Sequence, residues 1–290
     1  MFTGAITALV TPFRGDAVDE EALRRLVDEQ IAAGIDGLVP VGTTGESPTV
    51  TVEEHIRVIE IVVQAAKKRV PVIAGTGSNS TRETIELSAA ARKVGADGLL
   101  LVTPYYNRPG QEHLYRHFKS VVDAVPLPVV LYNVPSRTAC DLLPDTVARL
   151  AELPQVVGIK EATGSITRAA QILARVGDRL AVLSGDDAVT VPLYALGGKG
   201  VISVVSNVAP AAMAGMWDAA AAGDWKKARE LYFKMLPLAE GLFVEVNPIP
   251  VKAALAMMGR ISDEIRAPLY PLAPQHQEKL RTQLRDAGLL

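Results

Sequence analysis

Lys160 closes the apolar run Val156-Val157-Gly158-Ile159 and is followed at once by Glu161. A lysine at the end of a buried strand is either a solvated strand terminus or an amine held in a dry pocket. In the second case desolvation disfavours the ammonium form, and a neutral amine can attack a carbonyl. Other reactive side chains also follow apolar runs. Thr43 and Thr44 stand in Gly42-Thr43-Thr44-Gly45-Glu46-Ser47, and Tyr105 and Tyr106 in Thr103-Pro104-Tyr105-Tyr106-Asn107. Tyr132 and Arg137 stand in Tyr132-Asn133-Val134-Pro135-Ser136-Arg137-Thr138, and Gly185 in Ser184-Gly185-Asp186-Asp187. An amine, phenols and paired hydroxyls, with no histidine or cysteine among them, suit amine–carbonyl chemistry with short proton transfers. They argue against metal hydrolysis and thiol catalysis. Each has a plainer role: a strand-to-helix turn for the Gly-Thr-Thr-Gly stretch, buried rims for the tyrosines, a solvated loop cation for Arg137.

The elements that must position these groups are short apolar runs separated by helical stretches. The runs are Ala5 to Val10, Gly37 to Val41, Pro71 to Ala74, Gly98 to Val102, Pro128 to Tyr132, Val156 to Lys160, Leu180 to Ser184 and Gly200 to Val204. Continuous rather than alternating hydrophobicity marks parallel strands buried on both faces. Between them, Val52, Ile56, Ile59 and Val63 recur at helical spacing behind Thr51-x-x-Glu54, a capping box. Leu114, Phe118, Val121, Val122 and Val125 make a second stripe, and Leu23, Leu26, Val27 and Ile31 a third. Strand followed by helix, repeated along the chain, predicts a (β/α)8 barrel over residues 1–224 with a C-terminal helical region over 225–290. An open doubly wound sheet shares the same periodicity. In a barrel the stretches quoted above converge on one rim, the C-terminal ends of the strands.

The chain has 290 residues, 49% hydrophobic and 21% charged, with a formal net charge of −2, so it carries no electrostatic footprint for nucleic acid or an anionic membrane. A single cysteine, Cys140, excludes an intramolecular disulfide, and Met1-Phe2-Thr3-Gly4 leads straight into a strand, which points to a reducing cytoplasm. His113 and His117 have a helical metal-ligand spacing but no third ligand, so no metal site is expected. Gly75-Thr76-Gly77 and Gly197-Gly198-Lys199-Gly200 lack the dinucleotide fingerprint. Asp186 and Asp187 would repel a phosphorylated substrate at the rim.

Taken together, Gly42-Thr43-Thr44-Gly45-Glu46, Thr103-Pro104-Tyr105-Tyr106-Asn107-Arg108-Pro109, Tyr132-Asn133-Val134-Pro135-Ser136-Arg137-Thr138, Gly158-Ile159-Lys160-Glu161-Ala162-Thr163-Gly164, Ser184-Gly185-Asp186-Asp187, Gly200-Val201-Ile202-Ser203 and Asn247-Pro248-Ile249-Pro250-Val251-Lys252 span nearly the whole chain. In this set and order the sequence resembles the dihydrodipicolinate (4-hydroxy-tetrahydrodipicolinate) synthase family of pyruvate-dependent class I aldolases. The resemblance implies a carbon–oxygen lyase of lysine (diaminopimelate) biosynthesis that needs no cofactor. It condenses pyruvate with L-aspartate 4-semialdehyde. Lys160 would form a Schiff base with pyruvate, and Tyr132 would shuttle protons through Thr44 to a Tyr106 supplied by a neighbouring subunit. Thr43 and Thr44 would hold the pyruvate carboxylate and Arg137 that of the semialdehyde. Gly185 and Ile202 would shape the pocket through backbone groups. A homotetramer, a dimer of dimers, goes with these roles.

The same resemblance places L-lysine as an inhibitor at a subunit interface, on Ser47, His55, Asn79, Glu83 and Tyr105. Val52 and Pro48 depart from the lysine-sensitive pattern, so weak inhibition is expected, and Ser80-x-x-Glu83 also fits a capping box that would occupy Glu83. Two other functions share part of the motif set. A sister aldolase, such as N-acetylneuraminate lyase or a keto-deoxy-sugar-acid aldolase, would share the lysine and the strand-five tyrosine but generally lack Arg137 in this motif. A catalytically inactive binding scaffold would have lost the lysine, tyrosines or threonines.

Overall fold

A computed structural model describes residues 2–290; Met1 lies outside the described residues. Strands β1 (Gly4–Ala8), β2 (Gly37–Val39), β3 (Ile73–Gly75), β4 (Gly98–Val102), β5 (Val129–Asn133), β6 (Val156–Glu161), β7 (Ala181–Ser184) and β8 (Gly200–Ser203) form one parallel sheet. Each strand neighbours those adjacent to it in sequence, and β1 pairs with β8 through Gly4–Gly200 to Thr7–Ser203. The remaining gap, between β2 and β3, is spanned by the parallel bridge Leu38–Val72. That bridge makes the sheet a nearly closed barrel, so the open doubly wound alternative is set aside.

Helices α1 (Glu20–Ala32), α2 (Val52–Ala66), α3 (Thr81–Lys93), α4 (Gln111–Ala124), α5 (Pro135–Thr138), α6 (Pro144–Leu150), α7 (Ile166–Val176) and α8 (Thr190–Ala195) fill the connections between strands, and α9 (Pro210–Ala221) follows β8. Helices α10 (Trp225–Gly241), α11 (Ile249–Met257) and α12 (Pro274–Ala287) form the C-terminal extension. The capping box at Thr51 and Glu54 is formed in full and starts α2.

Period-two alternation sorts the strand side chains into two layers. Val129 and Leu131 of β5 face the helices, whereas Val130 and Tyr132 face the barrel interior with Ile6, Val39, Leu183 and Ile202. Strand β6 pairs with β5 in the register Val130–Gly158, Leu131–Ile159 and Tyr132–Lys160. Register alone therefore turns Lys160 inward, in the topmost interior layer beside Tyr132.

The α2 stripe differs from the expected one. The buried face is His55, Val58, Ile59, Val62 and Ala66, while Val52 is 51% exposed. The helix is apolar over a wide arc, so stripes of helical spacing can be drawn on more than one side, and packing selects between them. The two histidines of α4 separate as well: His113 is exposed and His117 is buried against Phe118, with Nδ1 2.9 Å from Thr81 Oγ1. Among the described residues, no cluster of three or more His, Cys, Asp or Glu could hold a metal, and no helix is long and apolar enough to cross a membrane.

Burial takes the His117 pKa from 6.5 down to about 4. Between those values the unfolded chain binds a proton that the folded chain refuses. This contribution is whole above pH 6.5 and is lost on acidification at about 1.4 kcal/mol per pH unit. Urea unfolding at pH 6.5 and pH 5 should therefore show His117→Gln losing roughly 2 kcal/mol less than the parent over that interval. Equal losses would remove His117 as the source.

Candidate active site

The site is built on the rim where β6 ends. Lys160 is 5% exposed, and its Nζ lies 4.5 Å from the centre of the Tyr132 ring. The amine projects into a cavity of about 450 Å³ lined by Thr43, Thr44, Tyr132, Arg137, Gly185 and Asn247, among others. Gly185 is required by close approach: a Cβ there would sit 2.6 Å from the Ala162 Cβ and 3.1 Å from the Lys160 Cε. Any side chain at 185 would push the lysine stem aside.

Outward-facing neighbours fix these strand ends from behind. Asn133 Nδ2 donates to Glu161 Oε2 at 3.1 Å and to Asp141 Oδ1 at 3.0 Å, while its Oδ1 accepts from the Leu142 backbone. Arg168 holds Asp141 through two nitrogens at 2.7 and 2.9 Å and keeps that carboxyl below its ordinary range. The Asn133–Glu161 bond joins the strand carrying Tyr132 directly to the strand carrying Lys160, and the Asp141 and Leu142 contacts hold Asn133 in place for it.

The Gly42–Ser47 turn presents Thr43 and Thr44 at a conformational cost. Val41 and Glu46 both lie in the left-handed region, at φ 47° and 57°. Non-glycine residues there each cost on the order of 1–3 kcal/mol and persist only where the surroundings dictate them. Gly45 is obligatory, since a Cβ would come within 2.9 Å of the Val41 backbone.

The C-terminal extension completes the cavity wall. Asn247 Nδ2 donates to Thr44 Oγ1 at 3.0 Å, and the Asn247 carbonyl accepts from Arg137 Nη2 at 3.2 Å. With its oxygen occupied as an acceptor, the Thr44 hydroxyl has its own proton free to donate elsewhere in the cavity. An inward lysine, a phenol, paired hydroxyls and a guanidinium around one cavity can form an imine, move protons near it and hold a carboxylate. A profile of the dihydrodipicolinate synthetase family matches residues 1–287. This chain belongs to that family.

Family relatives match over full length. The 4-hydroxy-tetrahydrodipicolinate synthase of Syntrophus aciditrophicus is 56% identical over 290 residues, covering 100% of both chains. The chloride-inhibited dihydrodipicolinate synthase of Acinetobacter baumannii, solved in complex with pyruvate, is 50% identical with a TM-score of 0.98, again over 100% of both chains. The synthase of Cyanidioschyzon merolae, solved with lysine bound, is 40% identical with a TM-score of 0.97, covering 100% of this chain and 99% of that one.

Two of the expected site residues stand outside the cavity wall. Ile202 is fully buried in the interior layer of the barrel and is not among the lining residues. Tyr106 is 89% exposed and at φ 69°, and it is not among the residues lining the cavity of its own chain. Asp187 turns from the rim as well: its carboxylate accepts from Val204 N at 2.9 Å and Val205 N at 3.1 Å, tying β7 to β8, and burial raises its pKa.

A second cavity of about 430 Å³ adjoins the first and shares Thr43, Val134 and Arg137 with it. Ser47, His55, Glu83 and Tyr105 line it; Asn79 does not, and its carbonyl accepts from Asn107 Nδ2 at 2.8 Å. The Glu83 carboxylate is not spent on capping. It accepts from the Ser78 hydroxyl, while Ser80 caps α3 through its own side chain. His55 Nε2 lies 2.8 Å from the Gly75 carbonyl, and burial lowers its pKa.

The sequence reading assigned no role to Asn247, or to the buried pair Glu46 and Lys252. Lys252 Nζ lies 2.6 Å from Glu46 Oε1, and burial pushes its pKa down while the Glu46 charge opposes that shift. Lys252 is the only charged residue in the apolar helix α11, which is the signal that marks it.

Proposed function

We propose that this protein condenses pyruvate with L-aspartate 4-semialdehyde through a Schiff base on Lys160, releasing 4-hydroxy-tetrahydrodipicolinate. The observation that carries this is the buried, inward Lys160 amine in one cavity with Tyr132, Thr43, Thr44 and Arg137. The Lys160 nitrogen adds to C2 of pyruvate and water leaves. The resulting cationic imine draws electrons from the adjacent methyl, whose proton passes to Tyr132 and on through Thr44. The enamine carbon attacks the aldehyde carbon, and the carbonyl oxygen takes up a proton to become the hydroxyl. The substrate's own amine then attacks the imine carbon, closes the six-membered ring and expels Lys160.

Arg137 supplies a guanidinium fork for the carboxylate of this short acceptor, which favours it over a sugar-acid aldehyde. Tyr106, nearly fully exposed on a strained loop, completes the proton chain of a neighbouring subunit. The site is therefore whole only in an oligomer, a homotetramer built from dimers. A reducing cytoplasm suits the single, buried Cys140. Turnover of pyruvate with L-aspartate 4-semialdehyde, read through a coupled reductase and NADPH loss, tests the reaction. Silence alongside borohydride trapping of pyruvate on Lys160 would point to a different acceptor.

L-Lysine inhibits from the second cavity, where the Glu83 carboxylate suits an ammonium and Ser47, His55 and Tyr105 offer polar contacts. The shared Thr43 and Arg137 give it a direct route to the catalytic cavity. Loss of one charge-assisted hydrogen bond is worth ~10-fold or more in affinity. Glu83→Gln should raise the half-inhibitory lysine concentration by about that factor, and a superimposable inhibition curve would take Glu83 out of the site.

A further inference from the structure

We propose that the buried Glu46–Lys252 ion pair is a positioning device for catalysis: it holds the strained Gly42–Ser47 turn in the conformation that presents Thr43 and Thr44 to Lys160. The inference rests on the roles given above to the two threonines.

The pair lies beneath the turn, with Lys252 and Glu46 side chains 1% and 2% exposed. Lys252 reaches the turn from two sides. One contact is Glu46 Oε1 at 2.6 Å; the other is the Thr11 carbonyl at 3.0 Å. Thr11 in turn donates its hydroxyl to the Gly45 carbonyl at 2.7 Å. The second Glu46 oxygen accepts from the Arg266 backbone N–H at 3.1 Å. Glu46, one of the two residues that pay for the left-handed geometry, is thus fixed through both carboxylate oxygens by groups from the C-terminal extension.

A buried pair is a poor source of stability, because matched apolar side chains of similar volume serve a core as well or better. Here the Lys252 amine lies over the Phe13 ring at 4.3 Å, and the Arg266 guanidinium lies at the same distance from that ring. What the pair supplies is direction. A carboxylate with defined partners on both oxygens has one orientation, and the backbone carrying it inherits that orientation. Lys252 lies five residues after Asn247, which holds Thr44 Oγ1. The same stretch of the extension therefore holds the turn at both its catalytic hydroxyl and its strained end. Without the pair, the turn can leave the left-handed region and carry the hydroxyl off line. A displacement of about 1 Å at a reacting group costs on the order of 100-fold in rate.

The test is the double variant Glu46→Gln/Lys252→Met, compared with the parent, Thr44→Val and the triple variant. The principal readout is exchange of the pyruvate methyl hydrogens with deuterium in D2O. This needs only the imine and the proton relay and is independent of the acceptor. The expected result is a folded double variant that still traps pyruvate under borohydride, with exchange about 100-fold slower. Adding the pair substitutions to Thr44→Val should slow exchange by less than about 3-fold, because both act through one hydroxyl. Parental exchange in the folded double variant, or a full further loss on top of Thr44→Val, would overturn the proposal; a merely structural pair would lower the melting temperature alone. Should the double variant not fold, Thr11→Val removes a second holder of the same turn. It should slow exchange ~10-fold, again without adding to Thr44→Val, and parental exchange there would overturn the proposal equally. A parent enzyme that exchanges pyruvate but leaves the semialdehyde untouched would sink the acceptor assignment and spare this one.

Discussion

Lys160→Ala should leave no pyruvate trapped under borohydride and should lower turnover by a factor on the order of 10⁴ or more, the scale of losing a covalent nucleophile. No other amine can take over. Lys160 is the one lysine among the residues lining the cavity. Lys252, the other deeply buried lysine, has its ammonium engaged by the Glu46 carboxylate and the Thr11 carbonyl. The geometry also specifies what a conservative replacement does. Lys160→Arg places a guanidinium near the Tyr132 ring but offers no nucleophilic amine, so it should be as silent in trapping as alanine. Intact-mass measurement after borohydride reduction reads the outcome directly: the parent gains the mass of one reduced pyruvate adduct and both variants gain none. An adduct on either variant would place the Schiff base elsewhere and remove the basis of the proposed reaction.

Much of this architecture is written in local sequence, and what is not written there has a physical reason. Parallel strands buried on both faces leave short continuous apolar runs, so the eight strands could be placed to within a few residues, and Lys160 stood out as an amine ending one of them. Pairing register, which needs the fold, then turned it inward beside Tyr132. The α2 stripe misled because apolar residues cover more than one side of that helix. The Asn247–Thr44 and Lys252–Glu46 contacts join residues 203 and 206 positions apart, and no periodicity carries information over such a span. A capping pattern at Ser80 and Glu83 was present, yet the Glu83 carboxylate turned to Ser78, since a nearby hydroxyl competes with the backbone for the same oxygens. Tyr106 illustrates a different boundary. Its place in the sequence motif is plain, but an exposed side chain outside the lining of its own cavity has a catalytic meaning only if another subunit receives it.

Arg137→Ala should separate the two substrates. Pyruvate trapping on Lys160 should survive, while kcat/KM for L-aspartate 4-semialdehyde falls by roughly 10- to 200-fold, the value of a charge-assisted fork to a carboxylate. The guanidinium stands on the short helix α5 at the boundary of the two cavities, with Nη2 held by the Asn247 carbonyl at 3.2 Å. That anchor fixes the plane of the group and leaves its remaining N–H bonds for a ligand. Arg137→Lys keeps the charge but not the fork, so it should recover only part of the loss. Asn247 holds Thr44 through its side-chain Nδ2, whereas Arg137 touches only its backbone carbonyl, so removing the guanidinium should leave the proton relay in place, and deuterium exchange into pyruvate should stay within about 3-fold of the parent. The position of Arg137 in the second cavity adds a consequence: if L-lysine binds there as proposed, the variant should also respond differently to it, since a wall of that cavity has changed. Steady-state titration of each substrate in turn reads this directly. An unchanged KM for the semialdehyde would strip Arg137 of its role and return the sugar-acid aldehydes as acceptors to be tried.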